Sequence, residues 1–581
     1  MNTSPAVIAL GTRIEATVAA AIRRALPGTE PIDPLVRRGE RTDFQANAAL
    51  ALARSAGRPP RELAAAITAE ITPDGPIETA EVSGPAFVNL TLADAELWRQ
   101  TALRLDAGLG LPAPYAGTVT VVDYSAPNVA KRMHVGHLRS TVIGDTLVKL
   151  LESLGGTVIR QNHIGDWGTQ FGMLIQYLDE HPGTAWHGTA DIAVLDGLYR
   201  SAAAHFAADA AFADRARSRV VALQAGDEAT LAVWRDLVAV SLAAFNKIYR
   251  RLDVSLSDVD LDGESVYNPH LDDVVAELTD AGIAVESQGA LCVFDERFTG
   301  PEGNPIPLIL RKSDGGYGYA TTDMATLRHR VRELKATRML YLTDARQALH
   351  FAQVFAAGRR AGWIDASHEV VHVPFGTVLG ADGRPFKTRS GDTVALTGLL
   401  DAAVAGARAV VAAKNPDLDG AALDRIAAST GIGAVKYADL STARTTDYRF
   451  DIERMVSLNG DTGVYLQYAH ARLASILRKA GEGETIVDEK APVNTSERAL
   501  VLRLDEYAAV LAEAAALNEP HRIATYLFGL AKVFSSFFDR SPVLKAETAA
   551  LRGNRLALVR LTRLTLHHGL SLLGIDAPER M

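Results

Sequence analysis

A chain of 581 residues carries a single cysteine, Cys292, so it cannot form an internal disulfide or a cysteine-rich zinc site. That residue lies in the apolar run LCVF and reads as a buried strand position. No run of eighteen apolar residues occurs, which argues against a membrane-spanning helix. Arg13 and Glu15 fall too early for the apolar segment of a signal peptide. These absences predict a cytoplasmic protein without a membrane anchor. Positive charge is not in excess either: the net charge is −9 and the pI near 6.0. That excludes a uniformly basic coat for nucleic acid but allows local basic faces on an acidic body. With 48% hydrophobic and 22% charged residues, the composition is that of an ordinary soluble protein, long enough for about three or four domains.

One stretch organises the rest. The run Thr118 to Asp123 (TVTVVD) is β-branched and apolar, as a buried parallel strand should be, and from Gly136 the apolar residues Val142, Ile143, Leu147, Leu150, Leu151 and Leu154 follow helical spacing until Gly155 and Gly156. Strand, loop and helix in that order aim a helix N-terminus, with its free N–H groups and partial positive charge, at a phosphate. His134 and His137 bracket Gly136 there. Two imidazoles can donate to phosphate oxygens, and a residue without a side chain lets a nucleotide approach the backbone.

The string H-x-G-H resembles the HIGH signature of class I aminoacyl-tRNA synthetases. The fuller string S-x-P-N-x-x-K-x-x-H-x-G-H-L-R-S, from Ser125 to Ser140, resembles arginyl-tRNA synthetases in particular. The resemblance implies an α/β fold: a doubly wound, parallel-sheet, Rossmann-type catalytic domain, preceded by an α+β additional domain and followed by an all-α anticodon-binding bundle. We expect these to span 111–395, 1–110 and 456–581, with a connector at 396–455.

The periodicity predicts helices at Ile14 to Leu26, Ala48 to Ser55 and Arg61 to Ile71 and a strand at Ala86 to Leu92, punctuated by Pro59-Pro60 and Pro73-Asp74-Gly75-Pro76. DFQANAALALA and SGPAFVNLTL resemble the additional domain that contacts the tRNA elbow. This implicates Phe87 and Asn89, although a core phenylalanine and a turn asparagine fit the same residues. Residues 111 to about 380 alternate strand and helix, which argues for the parallel sheet. The alanine-rich helical segment from about 181 to 251 reads as an insertion without visible chemistry. From about Ala421 the chain is helical, with later helices at Ser496 to Leu517, Pro520 to Phe538 and Arg552 to Leu573 forming a bundle with its own core.

Three further strings suit a cationic amino acid: GESVY (263–267), GGYGYATTDMA (315–325) and YLTDARQALHFAQVF (341–355). A guanidinium is best met by carboxylates and a stacking ring. Glu264, Asp323 and Tyr319 are the right types, and Tyr319 and Asp323 share a face if a helix starts there. The resemblance places Glu264, Tyr319 and Asp323 around the guanidinium, and Ser125, Asn128, His134 and Gln347 near the rest of the arginine. It assigns ATP to His134, Val135, Gly136, His137 and Val378. The segment HVPFGTVLGADGRPFKTRSGDTV (372–394) resembles the mobile KMSKS loop, with Lys387 and Arg389 as cations and Gly391 as a hinge, but Thr388 stands where a second lysine is usual. Lys131, three residues before His134, is the candidate for the missing cation.

Tyr465, Gln467, Tyr468, His470 and Arg472 on one helix, with Arg552, Arg555, Arg560 and Arg563 on another, suit splayed-out bases and phosphates; a core tyrosine and a solvated arginine face would look the same. The resemblance implies activation of L-arginine by ATP, carried with Mg2+ as the substrate complex, then transfer to tRNA(Arg). It implies no protein-bound zinc, and we expect a monomer. Two other classes share parts of this pattern. A cytidylyltransferase-type enzyme also uses H-x-G-H but has no use for the helical C-terminal third. A non-enzymatic tRNA-binding relative would lose His134, His137 or Lys131, all of which are present.

Overall fold

A computed structural model describes residues 6–28, 32–39, 41–71, 75–184, 186, 191–380, 382–384, 394–414, 416, 418–481 and 486–581. At its centre four parallel strands run in the order Glu369–His372, Arg338–Tyr341, Val119–Asp123, Thr157–Gln161. Val119–Asp123 leads through the helix Val135–Ser153 to the neighbour on one side, while Arg338–Tyr341 lies on its other side. Strand order therefore reverses at Val119–Asp123, and the crevice beyond its carboxyl end is where this sheet type binds ligands. Gly144 lets the helix lie against the strand, because a Cβ there would meet the Tyr124 ring at 2.4 Å.

The alternation of strand and helix overstated the parallel sheet. Ala284–Ser287, Ala290–Val293 and Leu308–Arg311 form a separate antiparallel sheet. Gln288 (φ 51°) and Gly289 (φ 77°) make a two-residue turn with both φ values positive, the turn that matches strand twist in a tight hairpin. Cys292 is buried in this sheet.

The N-terminal region folds as expected into helices Leu10–Ala25, Ala48–Ala56 and Pro60–Ala69, but they pack on a four-stranded antiparallel sheet whose members Val36–Arg38, Phe44–Ala46 and Ile77–Ser83 sequence reasoning missed. Phe87–Leu92 shows the longest clean alternation of buried and half-buried positions among them. Pro73 and Asp74 lie outside the described residues.

Toward the C-terminus, Leu396–Lys414 and Gly420–Leu440 pack closely, since a Cβ on Gly431 would come within 2.7 Å of the Val404 backbone. Among the described residues the short helix Ile452–Met455 follows, and then five longer ones: Gly463–Ala480, Thr495–Asp505, Tyr507–Leu517, His521–Arg540 and Ala549–Leu572. The expected helix 496–517 is two, broken at Glu506.

These helices do not have a core of their own. One continuous apolar cluster joins Leu10, Trp98, Leu138, Leu400, Leu504 and Leu566. Asp505 ties the bundle to the N-terminal region, accepting from the Leu10 amide at 2.6 Å, Gln100 Nε2 at 2.8 Å and Arg104 Nη2 at 2.7 Å. Arg104 and Asp505 are both buried, so removing either would strand a charge at a cost of about 3–5 kcal/mol.

Candidate active site

Asp123 ends the central strand, and the chain then makes a constrained loop to the helix start at Val135. Ser125, Ala126 and Ala130 all have positive φ (73°, 45° and 62°), a costly backbone for residues with a Cβ. Side chains from elsewhere hold it: Ser140 Oγ accepts from the Ser125 amide (2.9 Å), Asn162 Oδ1 from Ala126 (3.0 Å) and Ser241 Oγ from Ala130 (3.0 Å). The bend leaves Asn128 exposed, bridged to Gly165, where a Cβ would lie 2.5 Å from the Asn128 Oδ1.

The two histidines cap the helix. His134 Nδ1 accepts from the Gly136 amide at 3.0 Å, and His137 Nδ1 accepts from the His134 amide at 3.1 Å. Each proton is thereby assigned to Nε2, the atom left to donate outward. Burial lowers the pKa of both, with further lowering from Lys131, and takes His137 to about 3. They are neutral donors at physiological pH, with ring centroids 4.0 Å apart. The Lys131 ammonium lies 4.4 Å from the centroid of the Tyr199 ring, and next to it Arg132 Nε pairs with Asp196 at 3.1 Å.

The acidic pocket is built from distant segments. A helix does begin at Tyr319, running to Arg332, so Tyr319 and Asp323 share a face. Tyr319 is 67% exposed. Glu264 opens the short 3-10 segment Glu264–His270, and burial raises its pKa to about 7, with Asp166 and Asp323 adding to the rise. The Tyr319 hydroxyl is raised by burial and then by the fields of Glu264 and Tyr199. Glu264 thus lies within the fields that reach both Tyr319 and Asp323, and Tyr199 neighbours both Tyr319 and Lys131. Gln347 is exposed in the turn after the strand Arg338–Tyr341, on the other side of the switch point.

Below this pocket lies a buried polar layer. Arg330 Nη2 donates to Asp123 at 2.8 Å and its Nε to Gln161 at 2.6 Å. His163 loses basicity to burial but gains more from Asp262 and Asp123, ending at about 9. Asp166 accepts from the Ser265 amide and hydroxyl at 2.9 and 2.6 Å, fixing the turn that carries Glu264.

The segment read as an insertion packs directly against the loop that carries Ser125 and Ala130 and against the Asp166 turn. Its helix Glu228–Leu252 supplies Ser241 under Ala130, Trp234 whose Nε1 donates to the Asp166 carbonyl (2.7 Å), and Tyr249, which bonds Ser125 (2.8 Å) and Asn162 (3.0 Å). Its helix Ile192–Ala208 supplies Asp196 and Tyr199.

Some expected contacts are corrected. The Ser125 hydroxyl is buried and committed to Tyr249 and Thr141 and its amide to Ser140, so only its carbonyl is left for a ligand. Val378 has a buried side chain in a short strand paired with Tyr448–Arg449; Thr377 and Leu379 use their carbonyls in that pairing, so Val378's own backbone groups point to the opposite edge. Lys387, Thr388, Arg389 and Gly391 lie outside the described residues. In the bundle, Tyr468 is 50% exposed, but Gln467 and His470 are fully buried. They hold the C-terminal segment instead: Gln467 Nε2 donates to the Asp576 carbonyl (2.9 Å), and His470 Nδ1 bonds the Pro578 carbonyl (3.0 Å). The Arg472 guanidinium lies 4.2 Å from the Phe538 ring centroid and Tyr465 packs on Phe528. Arg555 is buried against Glu497 (2.7 Å), and Arg563 pairs with Glu579. In the N-terminal sheet Asn89 accepts from Gln45 (3.0 Å) beside a half-buried Phe87.

Comparison with known proteins agrees with this layout. The family described as "tRNA synthetases class I (R), catalytic domain" matches residues 107–452, the "DALR anticodon binding domain" matches 466–581, and the "Arginyl tRNA synthetase N terminal domain" matches 12–92. An "Arginine--tRNA ligase" of Frankia casuarinae is 57% identical with 100% of both chains covered, and one of Streptomyces coelicolor is 49% identical over 99% of this chain and 100% of its own. The solved arginyl-tRNA synthetase of Plasmodium falciparum superposes with a TM-score of 0.81 at 27% identity, covering 99% of this chain and 100% of its own; that of Thermus thermophilus gives 0.80 at 27%, covering 98% and 100%. On the strength of its full-length relatives and all three matching domains, the chain belongs to the arginyl-tRNA synthetases, class I aminoacyl-tRNA synthetase enzymes.

Proposed function

We propose that the chain activates L-arginine with ATP, carried as its Mg2+ complex, and transfers the arginyl group to tRNA(Arg), releasing AMP and diphosphate. The observation that carries this reading is the meeting of an acidic, ring-lined pocket with a phosphate-facing helix start at one switch point. Glu264, Asp323 and Tyr319 hold the guanidinium, and Asn128 and Gln347 orient the amino-acid end. The arginine carboxylate attacks the α-phosphate in line. Little covalent work falls to the protein, which aligns the reactants and stabilises developing charge.

His134 and His137 donate from Nε2 to the phosphates without adding charge, Lys131 supplies the nearby ammonium, and the helix N-terminus adds its partial charge. Lys387 and Arg389 serve the same triphosphate. The adenine is met at Gly136 and Val135 and by the free backbone edge of Val378. In the second step the terminal ribose of tRNA attacks the adenylate. Tyr465, Tyr468 and Arg472 meet the anticodon arm, and Phe87 and Asn89 the elbow. We assign residues 1–110, 111–395, 396–455 and 456–581 to elbow binding, catalysis, connection and anticodon binding, in a cytoplasmic monomer.

Pyrophosphate exchange screened over the amino acids, with and without tRNA, tests the reading. Arginine alone should support exchange. A different amino acid, or exchange by none in the presence of tRNA, would overturn it.

A further inference from the structure

The carboxylate assigned to the guanidinium is not free to turn. Asp323 Oδ2 accepts a hydrogen bond of 2.6 Å from His350 Nε2. Asp323 lies in the helix Tyr319–Arg332 and His350 in the first turn of Ala348–Arg360, three residues past Gln347. One helix start thus delivers both a candidate ligand for the amino-acid end and a partner for the carboxylate. The imidazole is itself constrained, lying edge-on to Phe351 at 5.3 Å between centroids, and Phe351 is buried and stacks on His372.

Holding one oxygen of a carboxylate sets its plane and leaves the other oxygen to a ligand. A guanidinium is a planar fork, so its hydrogen bonds depend on that plane more than those of an ammonium would. Without the partner, the carboxylate must be ordered by the substrate itself, and binding bears that entropy. We infer that His350 is a positioning residue for arginine, aiming Asp323 through the Nε2 to Oδ2 hydrogen bond without touching the substrate. The inference rests on the reading that Asp323 binds the guanidinium.

Steady-state pyrophosphate exchange with the full-length enzyme and tRNA tests it. His350→Phe keeps a ring and loses the donor, and should raise the arginine KM about tenfold while kcat and the ATP KM stay within about threefold. His350→Gln puts an amide N–H near the place of Nε2 and should restore most of the loss. In an Asp323→Asn background, His350→Phe should add little, because the two residues act as one unit. A wild-type arginine KM in His350→Phe overturns the inference, as does an equal loss for arginine and ATP, which marks a general packing role. If Asp323→Asn alone leaves the arginine KM unchanged, the pocket reading fails as well; if it raises KM while His350→Phe does not, only the inference fails.

Discussion

The nucleotide corner and the arginine pocket, neighbours at one sheet end, are made by opposite means. The corner is local and neutral: His134, Gly136 and His137 satisfy one another through backbone amides, and burial keeps both imidazoles uncharged. The pocket is non-local and acidic. Glu264 and Asp323 come from separate segments, and Asp166, His163 and His350 behind them come from others. A site for a polyanion needs donors, which the backbone at a helix start supplies within a few residues. A site for a planar cation needs carboxylates held in a partly dry place, and each requires a partner of its own.

If the corner relies on a single mobile cation, its loss should give the largest effect. Lys131→Ala should lower kcat of exchange by about 10²–10³ with little change in the ATP KM, since the ammonium acts on charge developing in the transition state. Adding Thr388→Lys should recover part of the loss if both positions serve one oxygen. Normal turnover by Lys131→Ala would leave the corner with the histidines and the helix terminus alone.

The pocket should fail differently. Asp323→Ala removes one carboxylate from the guanidinium and should cost about 2–3 kcal/mol, seen in the arginine KM. An unchanged arginine KM would move the pocket elsewhere.

pH separates the two regions further. Glu264, raised to about 7 by burial, pairs with a guanidinium only when ionised. Protonation below that value weakens the site, so the arginine KM should rise about tenfold from pH 8 to pH 6. The ATP KM should stay flat, because His137 titrates near 3 and His134 is also lowered. A parallel rise in both constants would mean that the corner titrates too.

The same contrast explains what could be read from the chain. The strand, the loop and the capped helix lie within forty consecutive residues, so local chemistry revealed them, down to the helix that starts at Tyr319. Partners far apart in sequence stayed hidden: His350 is 27 residues from Asp323, and Trp234 is 68 from Asp166. Alternating polarity was too weak in Val36–Arg38 to mark a strand. Gln467 and His470 matched a base-reading surface in type, but the segment ending at Met581 folds back over them. Helical periodicity shows that a face is buried, not what buries it. For that reason the bundle looked self-contained although its core is shared with Trp98 and Leu10, and removing residues 456–581 would unroof the N-terminal region as well.

The insertion gives the smallest and most discriminating effect. Tyr199 stands where corner and pocket meet, with the Lys131 ammonium over its ring and Tyr319 within its field. A cation held over a half-exposed ring gains about 0.5–1 kcal/mol, so Tyr199→Leu should lower kcat of exchange by about two- to fivefold, with the arginine KM unmoved. Tyr199→Phe keeps the ring face and should behave as wild type. Asp196, paired with Arg132 one turn earlier, keeps the helix docked in both variants, so the loss would report on the lysine and not on a displaced insertion. If Tyr199→Leu turns over faster than wild type, the ring restrains Lys131 away from the phosphates. If Tyr199→Phe loses as much as Tyr199→Leu, the hydroxyl and its neighbour Tyr319 matter, and the insertion serves the pocket instead of the corner.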